Sequence, residues 1–226
     1  MFSPQGYFTQ VPSGMVQAEL RWCFKQWGRP MSLRVDNGNP WGSWGDLTTP
    51  LALWLVGLGV DVIWNPPRRP QDNGVVERSQ GVAWNWAEPD RCSDAAELQR
   101  RLDEEDSVQR QSYPCGSFSS RLEAYPGLAR SGRRYSPRWE QQSWSWHKVL
   151  TYLARHVVPR HVDRCGKIGL YHDKVYVGLV NQGRDVTVQF DAGTAEWVIS
   201  DPRGVELCRR PLKQIEERKL RNLPIT

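Results

Sequence analysis

The sequence predicts an α/β domain followed by a small all-β domain. Three observations carry this. Strand-like and helix-like segments alternate up to about residue 110. A basic, aromatic and weakly periodic stretch, "RSGRRYSPRWEQQSWSW", follows. Beyond it, short β-type runs recur roughly every ten residues with Gly- and Asn-containing turns between them. The expected organisation is a first domain over 1–128, a basic aromatic linker over 129–156, a small β-barrel over 157–212 and a tail over 213–226.

Taken in order, "YFTQV" alternates and predicts a short strand. From Met15 to Trp27, Val16, Leu20, Phe24 and Trp27 fall at helical spacing, and Gly28 and Pro30 stop the helix. Leu33–Val35 is the next strand. "LTTPLALWLVGLG" predicts a helix with Thr48 or Thr49 as cap and Pro50 in its first turn. "VDVIW" is a strand. "NPPRRP" fits neither helix nor central strand, because proline lacks the N–H that both require. Asp72 or Asn73 caps a helix running to about Trp86, and Ser93 caps a long charged helix. "HKVLTYLARHVV" reads as a short helix or a lead-in strand. After it, "KIGLYH", "KVYVGLV", "DVTVQF", "EWVISD" and "VELCRRPL" are the barrel strands, and the tail is a peripheral helix or strap. Trp22, Trp27, Trp54 and Trp64 are expected in the core. Trp139, Trp144 and Trp146 are expected to dock the linker, rather than to stack on bases.

Composition narrows the classes. The chain has 226 residues, 39% hydrophobic and 24% charged, enough for a buried core. No long apolar run predicts a membrane span, and the N-terminus lacks a secretory pattern. Five scattered cysteines read as reduced cytosolic thiols. The four histidines show no metal-ligand spacing. Charge is uneven: residues 1–128 carry a net −3 and residues 129–226 a net +8, which favours a polyanionic partner for the second half.

Two acids stand out. Asp36 ends the run Leu33–Val35 and is followed at once by Asn37-Gly38. A strand-end acid is costly to desolvate unless it is paired, capped or holding a metal. Glu77 lies early in the helix that follows "NPPRRPQDNG". Forty residues separate the two. The order "WGRP…LRVDNG…NPPRRPQDNGVVERSQ" resembles the catalytic core of DDE transposases of the retroviral-integrase superfamily, especially those of bacterial insertion sequences. Asp36 matches the second acid of that family and Glu77 the third. Pro70, Gln71, Asn73, Gly74 and Arg78 match the signature around the third acid. The basic C-terminal strands are more loosely similar to the small barrel that follows the core in Mu-type transposases.

The resemblance implies an incomplete ribonuclease-H-like integrase core and DNA integration by phosphoryl transfer. It implies Asp36 and Glu77 as catalytic residues and as ligands of Mg²⁺ or Mn²⁺. Two such cations about 3.5–4 Å apart stabilise the attacking and leaving oxygens of an in-line displacement, and hard cations prefer carboxylate oxygens. The expected DNA contacts are Arg68, Arg69, Asn73, Gly74 and Arg78 near Glu77. Arg133, Arg134, Arg138, Arg209 and Arg210 are the expected contacts in the basic half. The implied partners are DNA and other transposase subunits or further copies of the chain, in the bacterial cytoplasm at the nucleoid.

One acid is missing. The family uses three, the first on an earlier strand. Glu19 is the sole acid before Asp36 and falls on the first predicted helix. The expectation is an N-terminally truncated transposase, inactive alone. The competing expectation is a non-catalytic DNA-binding or transposase-assembly module.

Overall fold

A computed structural model describes residues 11–42, 46–67 and 74–225. The chain is mixed α/β and divides into two units. Unit one comprises Met1–Trp22, Met31–Trp64 and Ser136–Thr226; unit two comprises Cys23–Pro30 and Asn65–Tyr135. This division cuts across the boundary at residue 128 drawn from sequence. Residues 7–10 of the expected first strand lie outside the described residues.

In unit one, β1 (Ser32–Val35) and β2 (Asp61–Trp64) pair in parallel, from Ser32 opposite Asp61 to Val35 opposite Trp64. Parallel neighbours need a crossover connection, and α2 (Pro50–Gly57) supplies it. Leu51, Ala52, Leu53, Trp54 and Leu55 are all fully buried. A helix that is apolar all round must be covered on every side. The residues expected to form a linker provide part of that cover. They fold into α6 (Pro137–Ser143) and α7 (Trp146–Leu153), and α7 packs on α2. The linker expectation is therefore corrected. The cause is local as well as tertiary: the Ser136 hydroxyl accepts from the Trp139 N–H at 3.1 Å, Pro137 opens α6, and the Ser145 hydroxyl accepts from the Lys148 N–H.

A buried ion pair marks this packing. Glu140 is 4% exposed. Arg21, on α1 (Ser13–Trp27), reaches both of its oxygens, at 2.7 and 3.1 Å, and the Trp54 indole donates to it at 2.9 Å. Gly57 lies against the Trp144 indole, where an added Cβ would fall within 2.2 Å of the ring. The Trp144 indole N–H donates to the Trp54 carbonyl at 3.0 Å, so Trp144 docks as expected. The tail forms α8 (Glu217–Arg221), tied to α1 through buried Gln17. That amide donates to the Leu220 carbonyl at 2.9 Å and accepts from the Leu223 N–H at 3.1 Å. Trp54 is core as expected, but Trp22 is 50% exposed and the expectation for it fails. A sequence stripe shows which residues share a helix face, not whether another element covers that face.

The C-terminal strands are β3 (Val157–His161), β4 (Lys167–Leu170), β5 (Asp173–Tyr176), β6 (Asp185–Asp191), β7 (Glu196–Ser200) and β8 (Glu206–Pro211). They form an antiparallel sheet in the order β3-β6-β7-β8 and an antiparallel β4-β5 hairpin. Alternate residues point inward, among them Val186, Val188 and Phe190 on β6. Phe190 and Trp197 are cross-strand partners, their rings edge-on at 5.0 Å.

Unit two is helical. It holds α3 (Gly74–Ala87), α4 (Ala95–Gln111) and α5 (Arg121–Ala124), with α3 packed on α4. The cap of α4 is Asp94, which accepts from the Glu97 N–H at 2.8 Å, one residue later than the expected Ser93. Ser93 instead donates through its N–H and hydroxyl to the Glu97 carboxylate, each at 2.8 Å. This is a variant of the capping box, with the acid reaching back beyond the cap.

Candidate functional site

Asp36 follows β1 directly and is exposed. Its carboxylate accepts from the Gly38 N–H at 3.1 Å, an Asx turn that presents the acid at the strand end. The backbone then turns back on itself, with the Trp41 N–H donating to the Gly38 carbonyl at 2.9 Å. Glu77 lies in the first turn of α3 and is also exposed. Asp36 belongs to unit one and Glu77 to unit two.

The segment before α3 lies outside the described residues. Arg68, Arg69, Pro70, Gln71, Asp72 and Asn73 all fall there. Gly74 opens α3 with open space around the position a Cβ would take, so backbone can be approached there. Arg78 is exposed one residue after Glu77.

The arginines of the basic half differ among themselves. The Arg133 guanidinium donates to the Pro30 carbonyl, while Arg134 and Arg138 are exposed. Arg209 sits in an ion-pair network with Asp191 at 2.8 Å, Glu206 at 3.0 Å and Glu196 at 3.8 Å. Its hydrogen bonds to Glu206 and Asp191 raise its already high pKa. Arg210 donates to the Tyr176 carbonyl at 2.8 Å and to the Arg209 carbonyl. Arg209 and Arg210 are thus committed to internal bonds. Arg134 and Arg138 have the freer guanidinium groups for a phosphate.

Other acids near the strand ends are accounted for. Asp46 pairs with Arg160 at 2.5 Å, and Asp61 and Glu19 are exposed. Among the described residues, no group of three or more His, Cys, Asp or Glu is placed to hold a metal ion. The ligand set of a three-acid site is therefore not assembled from described residues alone.

Sequence reading passed over a groove in unit two. It has a volume of about 830 Å³ and is lined by Arg78, Gln109, Tyr113 and Arg121, with Val76 and Val82. Gln109 was hidden by its setting, since α4 is charged almost throughout and nothing in its pattern marks one amide as buried. Tyr113 lies just past the helix end and Arg121 opens a single-turn helix, so neither belongs to a periodic segment.

No protein-family model matches the chain. Among the described residues, no helix is long and apolar enough to cross a membrane.

Proposed function

We propose that this chain is a DNA-associated protein of the DDE transposase type, in which Asp36 and Glu77 occupy the second and third acid positions. The observation that carries the reading is the paired motif: Asp-Asn-Gly at a strand end, and Pro-Gln-x-Asn-Gly-x-x-Glu-Arg running into a helix. The positions of the two acids support it. Asp36 stands at the end of a parallel strand with its carboxylate exposed, and Glu77 in the first turn of a helix. In this reading β1, α2 and β2 belong to a ribonuclease-H-like core, and β3 to β8 form the small barrel that follows it. Its setting is the bacterial cytoplasm at the nucleoid, and its partners are DNA and further transposase subunits.

The metal such chemistry uses, Mg²⁺ or Mn²⁺, would take carboxylate oxygens from Asp36 and Glu77 and would polarise the scissile phosphate. Asp36 and Glu77 have the donor chemistry for it, and among the described residues no group of three or more His, Cys, Asp or Glu is placed to hold a metal ion. In this reading the chain by itself holds DNA without cutting it. Supercoiled plasmid incubated with the purified chain and Mn²⁺ should stay closed. Nicking that is lost in Glu77→Gln would overturn the inactivity and establish a working site.

The second reading, a non-catalytic DNA-binding or assembly module, is favoured by the net +8 of residues 129–226. It predicts DNA binding that Asp36→Asn and Glu77→Gln leave unchanged at every Mg²⁺ concentration. The transposase-type reading predicts that Mg²⁺ strengthens binding and that these variants abolish the increase.

A further inference from the structure

The groove on unit two has a composition that selects its ligand. Arg78 and Arg121 bring two guanidinium groups, whose planar donors match phosphate oxygens. No carboxylate is among its described lining residues. Tyr113 is 44% exposed and offers an aromatic surface. The Trp86 ring meets its ring edge-on at 6.3 Å, and the Arg121 guanidinium lies 5.9 Å from its centroid. Gln109, only 5% exposed, is part of the lining. The volume falls within the range of small-molecule sites.

We propose that this groove binds one unpaired nucleotide of a DNA strand, with the base against Tyr113 and the phosphate between Arg78 and Arg121. The inference rests on the nucleic-acid reading above and deepens it by naming single-stranded DNA as the form this surface takes. In a duplex the base faces are stacked on one another, so Tyr113 cannot be used. A single strand presents its base faces, and stacking on an aromatic ring tolerates any base.

The test is fluorescence anisotropy of the full chain with a fluorescein-labelled oligothymidylate of about ten nucleotides, and with a duplex of the same length, at low salt. Tyr113→Leu and Arg121→Gln should each weaken single-strand binding about tenfold. Tyr113→Trp should preserve it, and duplex binding should not change in any of them. Should Tyr113→Leu lower the melting temperature, Arg121→Gln gives the same discrimination. If single-strand binding is insensitive to these variants, or if duplex binding falls equally, the groove assignment is overturned while the nucleic-acid reading stands. If neither DNA form binds, both fail.

Discussion

Glu140 shows what one residue does in this chain. It lies in a stretch that reads as basic linker, yet it is buried and satisfied by Arg21 and Trp54. A carboxylate moved out of water loses several kcal/mol of hydration, and only geometry of this quality offsets that loss. Removing one partner leaves the other charge unpaired. Glu140→Ala should therefore cost about 3 kcal/mol of stability. Urea unfolding followed by tryptophan fluorescence measures this. A loss below about 1 kcal/mol would place the pair among weak surface contacts. Asp36 is the opposite case. It is exposed, held by one backbone N–H, and its conformation is explained by local turn chemistry alone.

At the scale of elements, the N-terminus of α4 links charge to stability. The Glu97 carboxylate accepts from the Ser93 N–H, from the Ser93 hydroxyl and from Arg101, which together depress its pKa to about 2. A depressed acid stabilises the fold above its unfolded pKa, and that contribution is lost as pH falls through the folded one. The window runs from about 4.5 down to about 2. Amide exchange in the first turn of α4 should accelerate across it once intrinsic acid dependence is removed. Glu97→Gln should fray the turn already at neutral pH and show no such step. Helix α2 carries a different lesson. Its apolar residues on all sides predict burial, but the sequence of α2 does not say that α7 and α8 are among its neighbours.

For the whole molecule, the formal charge of residues 129–226 overstates the charge available to DNA. Arg209 alone answers Asp191, Glu196 and Glu206. Binding should still be electrostatic. With roughly three or four phosphate contacts, affinity should fall about a hundredfold between about 50 and 200 mM salt. Arg134→Ala and Arg138→Ala should each reduce the slope by about one, while Arg209→Ala should lower the melting temperature more than the affinity. A salt-independent affinity would remove the electrostatic basis of the DNA reading.

Much of the local structure was legible from residues. The helix over Ser13–Trp27, the strands on either side of α2 and the β-runs after Val157 follow from periodicity and turn chemistry, which act over a few residues. The two candidate acids were legible for the same reason: each sits in a short motif with its own turn or helix start. Other features were not local. Burial of Glu140 and Gln109, exposure of Trp22 and the grouping of α6 to α8 with β1 and β2 depend on which distant elements cover a face. The sequence by itself determined the elements and named Asp36 and Glu77. Only the tertiary structure decided which charges are bound internally and which open onto the groove, because burial and pairing arise between residues far apart in the chain.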